Sequence, residues 1–76
     1  MKKISIYTTP TCTYCQLAKD YFKNNGISYQ EFNVATDLEK RKEMIERSGQ
    51  MGVPVIDIDG KLMVGFEEKT LAAAIS

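Results

Sequence analysis

At 76 residues the chain has room for one domain with a thin core, since a domain this small buries only ~60% of its unfolded surface. Ten basic side chains balance ten acidic ones, which excludes nucleic acid as the main partner, because phosphate binding needs a basic excess or a concentrated basic patch. No apolar run approaches the ~20 residues that span a bilayer, and two cysteines are too few for a secreted disulfide scaffold.

Lys3 to Tyr7 reads as a strand, with Ile4 and Ile6 alternating with Ser5, and Thr8, Thr9 and Pro10 stop it. The same interruption denies Met1, Lys2 and Lys3 the apolar stretch of a signal peptide, so a cytoplasmic location is expected. From Cys12 to about Asn24 the apolar residues Tyr14, Leu17, Ala18, Tyr21 and Phe22 fall at helical spacing. Gly26 suits the left-handed position after that helix. Ser28 to Val34 is a second strand. Thr36 or Asp37 caps a second helix that runs to about Ser48, closed by Gly49. Asp37–Arg41 and Glu43–Arg47 are opposite charges four apart and support it. Lys40, Arg41 and Lys42 lie among Glu39, Glu43 and Glu46, so this basic run reads as a solvated helix face. Val55 to Ile58 and Lys61 to Val64 form two short strands around Asp59-Gly60, a strong hairpin signal. Glu67 and Glu68 open a last helix with an apolar stripe of Leu71, Ala72 and Ile75. The order β-α-β-α-β-β-α makes the first two strands parallel and the last two antiparallel. The expected architecture is α/β, a four-stranded mixed sheet flanked by three helices, in one monomeric domain over residues 1–76.

The chemistry lies in Cys12-Thr13-Tyr14-Cys15. Helix positions i and i+3 share a face with Cβ atoms ~5–6 Å apart, so a small adjustment brings two cysteines into disulfide range. Cys12 falls where a strand hands over to a helix. Unpaired backbone N–H groups and the helix dipole there favour a thiolate, the attacking species. Cys15, one turn inside, is shielded and suited to resolve a mixed disulfide. Such a motif beside a βαβ pattern points to thioredoxin-like redox chemistry. A structural disulfide would close too short a loop to stabilise much. Zinc would want four ligands, and the chain has two cysteines and no histidine. Two inert buried cysteines would not need the helix start. Val53-Pro54 is the second signal. Pro54 immediately precedes a strand, either as a trans initiator or as a cis proline that lays the preceding backbone beside the thiolate, and spacing does not choose.

Taken together, Tyr7 to Cys15 (YTTPTCTYC), Lys19, Val53-Pro54 and Gly65-Phe66-Glu67-Glu68 resemble the glutaredoxin family over nearly the whole chain. The resemblance implies a thioredoxin-like fold and a thiol–disulfide oxidoreductase, with Cys12 as nucleophile, Cys15 as resolving thiol and Pro54 in a cis bond. It implies that Tyr14 lines a glutathione groove and that Val53 offers its backbone N–H and C=O to the peptide part. Gly65, Phe66 and Glu67, with Glu68, would hold the charged ends. The implied substrates are protein disulfides or glutathione-mixed disulfides, with glutathione as co-substrate and neither a bound cofactor nor a metal. Thr13 stands where the family usually has proline. Thr9 replaces a lysine that helps hold a glutathione carboxylate, and Val64 precedes Gly65 where two glycines are usual. Gly65-Phe66 is also similar to redoxins that reduce ribonucleotide reductase with electrons from thioredoxin reductase, which makes a dedicated electron donor the second reading. A third, of another class, is an iron–sulfur carrier holding its cluster between two subunits. Lys19, one turn beyond Cys15, reads equally as an exposed helix lysine or as support for a nearby anion.

Overall fold

In a computed structural model describing residues 3–75, β1 (Ile4–Thr8), α1 (Thr13–Asn24), β2 (Gln30–Asn33), α2 (Leu38–Ser48), β3 (Val55–Ile58), β4 (Lys61–Val64) and α3 (Glu68–Ile75) follow in the expected order. Met1 and Lys2, weighed above as the start of a signal peptide, lie outside the described residues. The strands form one mixed sheet in the order β2-β1-β3-β4. β1 runs parallel to β2 and antiparallel to β3, and β3 runs antiparallel to β4.

Strand alternation sorts the side chains into two layers. Ile4 and Ile6 of β1 join Ile56 and Ile58 under Ala18 and Phe22 of α1 and Leu71 of α3. Tyr7, Val55 and Val34 face the other way, where Met44 of α2 covers them. Phe22 and Leu71 are fully buried, and burial of such a side chain contributes roughly 1.5–3 kcal/mol. Two thin cores, one on each face, thus sandwich the sheet.

Several details differ from the sequence reading. β1 extends one residue further, to Thr8, which is buried and continues the Ile4–Ile6 side of the strand. β2 is shorter than Ser28 to Val34 because it is an edge strand, half-buried at most and bonded only along β1. α1 starts at Thr13, with Cys12 as its N-cap. α2 is capped by Asp37, whose carboxylate accepts from the Lys40 N–H at 3.1 Å and so is spent on the cap rather than on Arg41. Gly49 closes α2 in the left-handed region, with φ 74°. Glu43 and Arg47 meet through Tyr7 instead of pairing directly. The buried Tyr7 hydroxyl donates to Glu43 at 2.6 Å, and Arg47 donates to that hydroxyl at 3.1 Å and to Asp57 at 3.0 Å. Lys40 reaches Glu43 at 3.2 Å and lies 4.4 Å over the Phe32 ring, while Arg41 and Lys42 are exposed.

The register decides where chemistry can gather. Tyr7 pairs with Val55, and Val55 with Val64, so the three form one line across the sheet. The segments just beyond that line, 9–15, 53–54 and 65–67, therefore emerge at one end of the molecule.

Candidate active site

Cys12 and Cys15 come together at that end. Cys12 caps α1 with an extended backbone (φ −89°, ψ 114°), and its Sγ accepts from the Cys15 N–H at 3.1 Å. In most helices a Ser, Thr, Asp or Asn oxygen fills this position. Here a sulfur does, so an orphan helix N–H points at the atom that would carry negative charge. The Cys12 thiol also stands 3.7 Å from the Val53 carbonyl, to which it donates. Both cysteines are free, Cys12 partly exposed and Cys15 fully buried. Burial pushes the Cys15 thiol above its ordinary range, as does its hydrogen bond with Cys12, while hydrogen bonding from the Thr8 side chain and the Thr9 backbone pulls it down. The arrangement gives one reachable sulfur and one buried sulfur whose thiolate is disfavoured by burial.

Five of the other sequence candidates share a groove of about 310 Å³ beside Cys12, lined by Tyr14, Val53, Pro54, Gly65 and Phe66. The Val53–Pro54 bond is cis, and Pro54 is buried. The Pro54 carbonyl accepts from the Gly65 N–H at 2.8 Å, which ties the start of β3 to the turn after β4. Gly65 adopts φ 83°, a conformation that favours glycine. Tyr14 is 61% exposed, so its ring is open to a ligand. Glu67 is exposed at the entrance to α3 and does not line this groove. Val64, 54% exposed, does not line it either, so its branched side chain is no obstacle there. A larger cavity of about 660 Å³ lies on the α2 side around Phe32, Glu43 and Asp57 and holds neither thiol. Among the described residues, no three His, Cys, Asp or Glu side chains gather as a metal site, and no helix is long and apolar enough to cross a membrane.

Two residues take unexpected positions. Thr8 is 1% exposed, and its side chain acts on Cys15. The signal was present in the alternation, because Ile4, Ile6 and Thr8 share the face on which α1 lies. Lys19 is tied across to β2 by Glu31 at 2.9 Å, and its side chain is only 17% exposed. That pairing removes it from the list of open anion contacts.

Known proteins resemble this arrangement. The family model described as Glutaredoxin matches residues 4–63. An uncharacterised glutaredoxin-like 8.6 kDa protein in the rubredoxin operon of Clostridium pasteurianum is 49% identical over 65 residues, covering 86% of this chain and 87% of that one. Glutaredoxin 3 of Escherichia coli K12 is 41% identical over 68 residues, covering 90% of this chain and 82% of its own. A crystal structure of a mutant thioredoxin-like protein superposes with a TM-score of 0.91 at 32% identity, over 99% of this chain and 96% of the other. The glutaredoxin of Archaeoglobus fulgidus, at 21% identity, shares the fold with a TM-score of 0.88, over 99% of this chain and 87% of its own. By its sequence, and with the thioredoxin-like fold common to these structures, the chain belongs to the glutaredoxin family.

Proposed function

We propose that the protein reduces disulfides of proteins, or their mixed disulfides with glutathione, by a dithiol cycle through Cys12 and Cys15. The observation that carries this reading is the Cys12 sulfur at the α1 N-cap, 3.1 Å from the Cys15 N–H and beside an open groove. The Cys12 thiolate attacks one sulfur of the substrate, forming a mixed disulfide and expelling the other sulfur as a thiolate. Cys15 then gives up its proton, attacks Cys12 Sγ and releases the second substrate sulfur. Two electrons and two protons pass to the substrate, and the chain is left with a Cys12–Cys15 disulfide. Tyr14, Val53, Pro54, Gly65 and Phe66 hold the substrate segment, and Glu67, exposed and next to Phe66 in the chain, supplies a charge to it.

Glutathione serves as co-substrate in this reading. Thr9 in place of lysine removes an exposed cationic contact, a change worth ~0–1 kcal/mol, so glutathione docks weakly and reacts during brief encounters. The chain works as a monomer in the cytoplasm, where dithiols are kept reduced. The test is turnover of a disulfide substrate with NADPH, driven either by glutathione with glutathione reductase or by thioredoxin reductase. Turnover with glutathione, increased by Thr9→Lys, supports the reading. Turnover with thioredoxin reductase alone makes the protein a dedicated donor, and failure with both, from the prereduced protein as well, rejects the redox assignment.

A further inference from the structure

A second groove, about 440 Å³ in volume, lies between the end of α1 and the start of α3. Leu17, Asp20, Tyr21, Asn24, Phe66 and Glu68 are among its lining residues. Phe66 also lines the groove beside Cys12, so the two grooves adjoin at this residue. The chemistry changes on crossing it. The Tyr21 and Phe66 rings, with centroids 6.3 Å apart, form an aromatic wall, and Leu17, 45% exposed, adds apolar surface. Among the described residues, the lining holds two carboxylates, Asp20 and Glu68, and no cation. The Asp20 carboxylate accepts from the neutral Gln16 amide at 3.0 Å, which does not balance its charge. Lys19, one residue away, is held by Glu31.

Apolar and aromatic walls with acidic rims suit one kind of side chain: a long aliphatic stem that packs on rings and ends in a cation. An acidic occupant would be repelled, and a purely apolar one would strip water from two carboxylates without compensation. Building on the redox reading above, we infer that Leu17, Asp20, Tyr21, Phe66 and Glu68 form a recognition subsite for a lysine or arginine of the target polypeptide. Spacing fixes where that residue lies. Along α1, Asp20 is eight residues from Cys12, a rise of about 12 Å, and an extended chain covers that in about four residues. The favoured targets are thus disulfides whose attacked cysteine is followed or preceded, about four residues away, by a basic side chain.

The experiment uses single-cysteine peptides carried as mixed disulfides with thionitrobenzoate, mixed with stoichiometric prereduced protein. Each peptide carries Lys, norleucine or Glu four residues from its cysteine, on the N-terminal side in one set and the C-terminal side in the other. The protein dithiol becomes a disulfide, and the peptide thiol and the coloured thiolate leave. The expected result is a Lys peptide reduced about five- to tenfold faster than its Glu counterpart at low salt in one of the two sets, with norleucine between them. Salt should shrink that ratio, and Asp20→Asn with Glu68→Gln should bring it near one. Equal rates for Lys and Glu in both sets overturn the proposal. So does norleucine as the fastest peptide, or a preference that survives the double substitution. The wild-type comparison needs no variant to fold. Failure to reduce any peptide removes the redox reading itself, and the subsite with it, whereas reduction without preference removes only the subsite.

Discussion

Thr8 links a strand to a thiol. Its side chain pulls the buried Cys15 thiol down against the push of burial. Thr8→Val keeps the shape and removes the hydroxyl, which donates to the Thr9 carbonyl at 3.4 Å and pulls the Cys15 thiol down, a contribution worth about 1 kcal/mol or roughly a fivefold change. Cys15 should then be harder to ionise, and release of the substrate from a preformed mixed disulfide should slow about fivefold, while capture by Cys12 is little changed. Stopped-flow separation of the two steps checks this, and equal slowing of both would refute it. Cys15→Ser should accumulate mixed disulfides with protein targets, visible by mass, and Cys12→Ser should form none. Alkylation of the reduced wild type should label the partly exposed Cys12 ahead of the buried Cys15. Spacing made the cysteines legible in the sequence. Thr8 was legible only in part: alternation with Ile4 and Ile6 put it on the α1 face, but Thr8-Thr9-Pro10 read as a strand stop until the structure showed it buried at the strand end.

At the scale of elements, α2 is fastened to the sheet by polar groups as much as by Met44. Tyr7 donates to Glu43 and accepts from Arg47, which also holds Asp57 on β3. Tyr7→Phe removes the link between them and should cost roughly 1–2 kcal/mol in urea unfolding. The pH dependence has a definite sign. The Tyr7 hydrogen bond, then Lys40, holds the Glu43 carboxyl below the ordinary carboxylate range. The stability this contributes is present above that range and lost as pH falls through the folded value. Burial, then Glu43, raises the Tyr7 hydroxyl, so its contribution is present below the ordinary phenol range and lost as pH rises beyond it. Tyr7→Phe should therefore flatten the fall in stability on both the acid and the alkaline side, measured as urea midpoints against pH. An unchanged acid limb would show that Glu43 is not tied to folding through Tyr7. The helix itself was legible from its caps and charges. Its partners were not, because the residue that intercepts Glu43 and Arg47 lies far earlier in the chain, and spacing along one helix cannot reveal it.

Across the whole molecule, sheet register gathers the working parts. The hairpin at Asp59-Gly60 sets Val64 opposite Val55, and this carries Gly65 and Phe66 to the cysteine end. The strand order could be anticipated as far as one parallel and one antiparallel pair. Antiparallel pairing of β3 along β1, and so the meeting of residues 53–54 with Cys12, depends on contacts between distant segments that no local pattern encodes. Gly65→Ala tests this geometry. A Cβ there meets nothing within 4 Å, so the cost is backbone strain at φ 83°, about 1 kcal/mol. The fold should survive by circular dichroism, and the KM for disulfide peptides should rise more than kcat falls as Phe66 shifts. A fall in kcat alone would place Gly65 outside substrate docking.

The hydrogen bond from the Cys12 thiol to the Val53 carbonyl has a consequence for the order of events. In the proposed cycle that oxygen is the natural acceptor for a backbone N–H of an incoming chain. The neutral thiol occupies it. A thiolate has no hydrogen to donate, and neither has a Cys12–Cys15 disulfide, so the oxygen is vacant in the species that attacks a target and in the species that must be recharged. In the neutral dithiol the Cys12 thiol takes one of the two acceptor sites of this carbonyl, attack frees it, and re-reduction of the disulfide fills it again. In the proposed cycle the sulfur proton therefore competes with an incoming chain for the Val53 carbonyl only while Cys12 is a thiol.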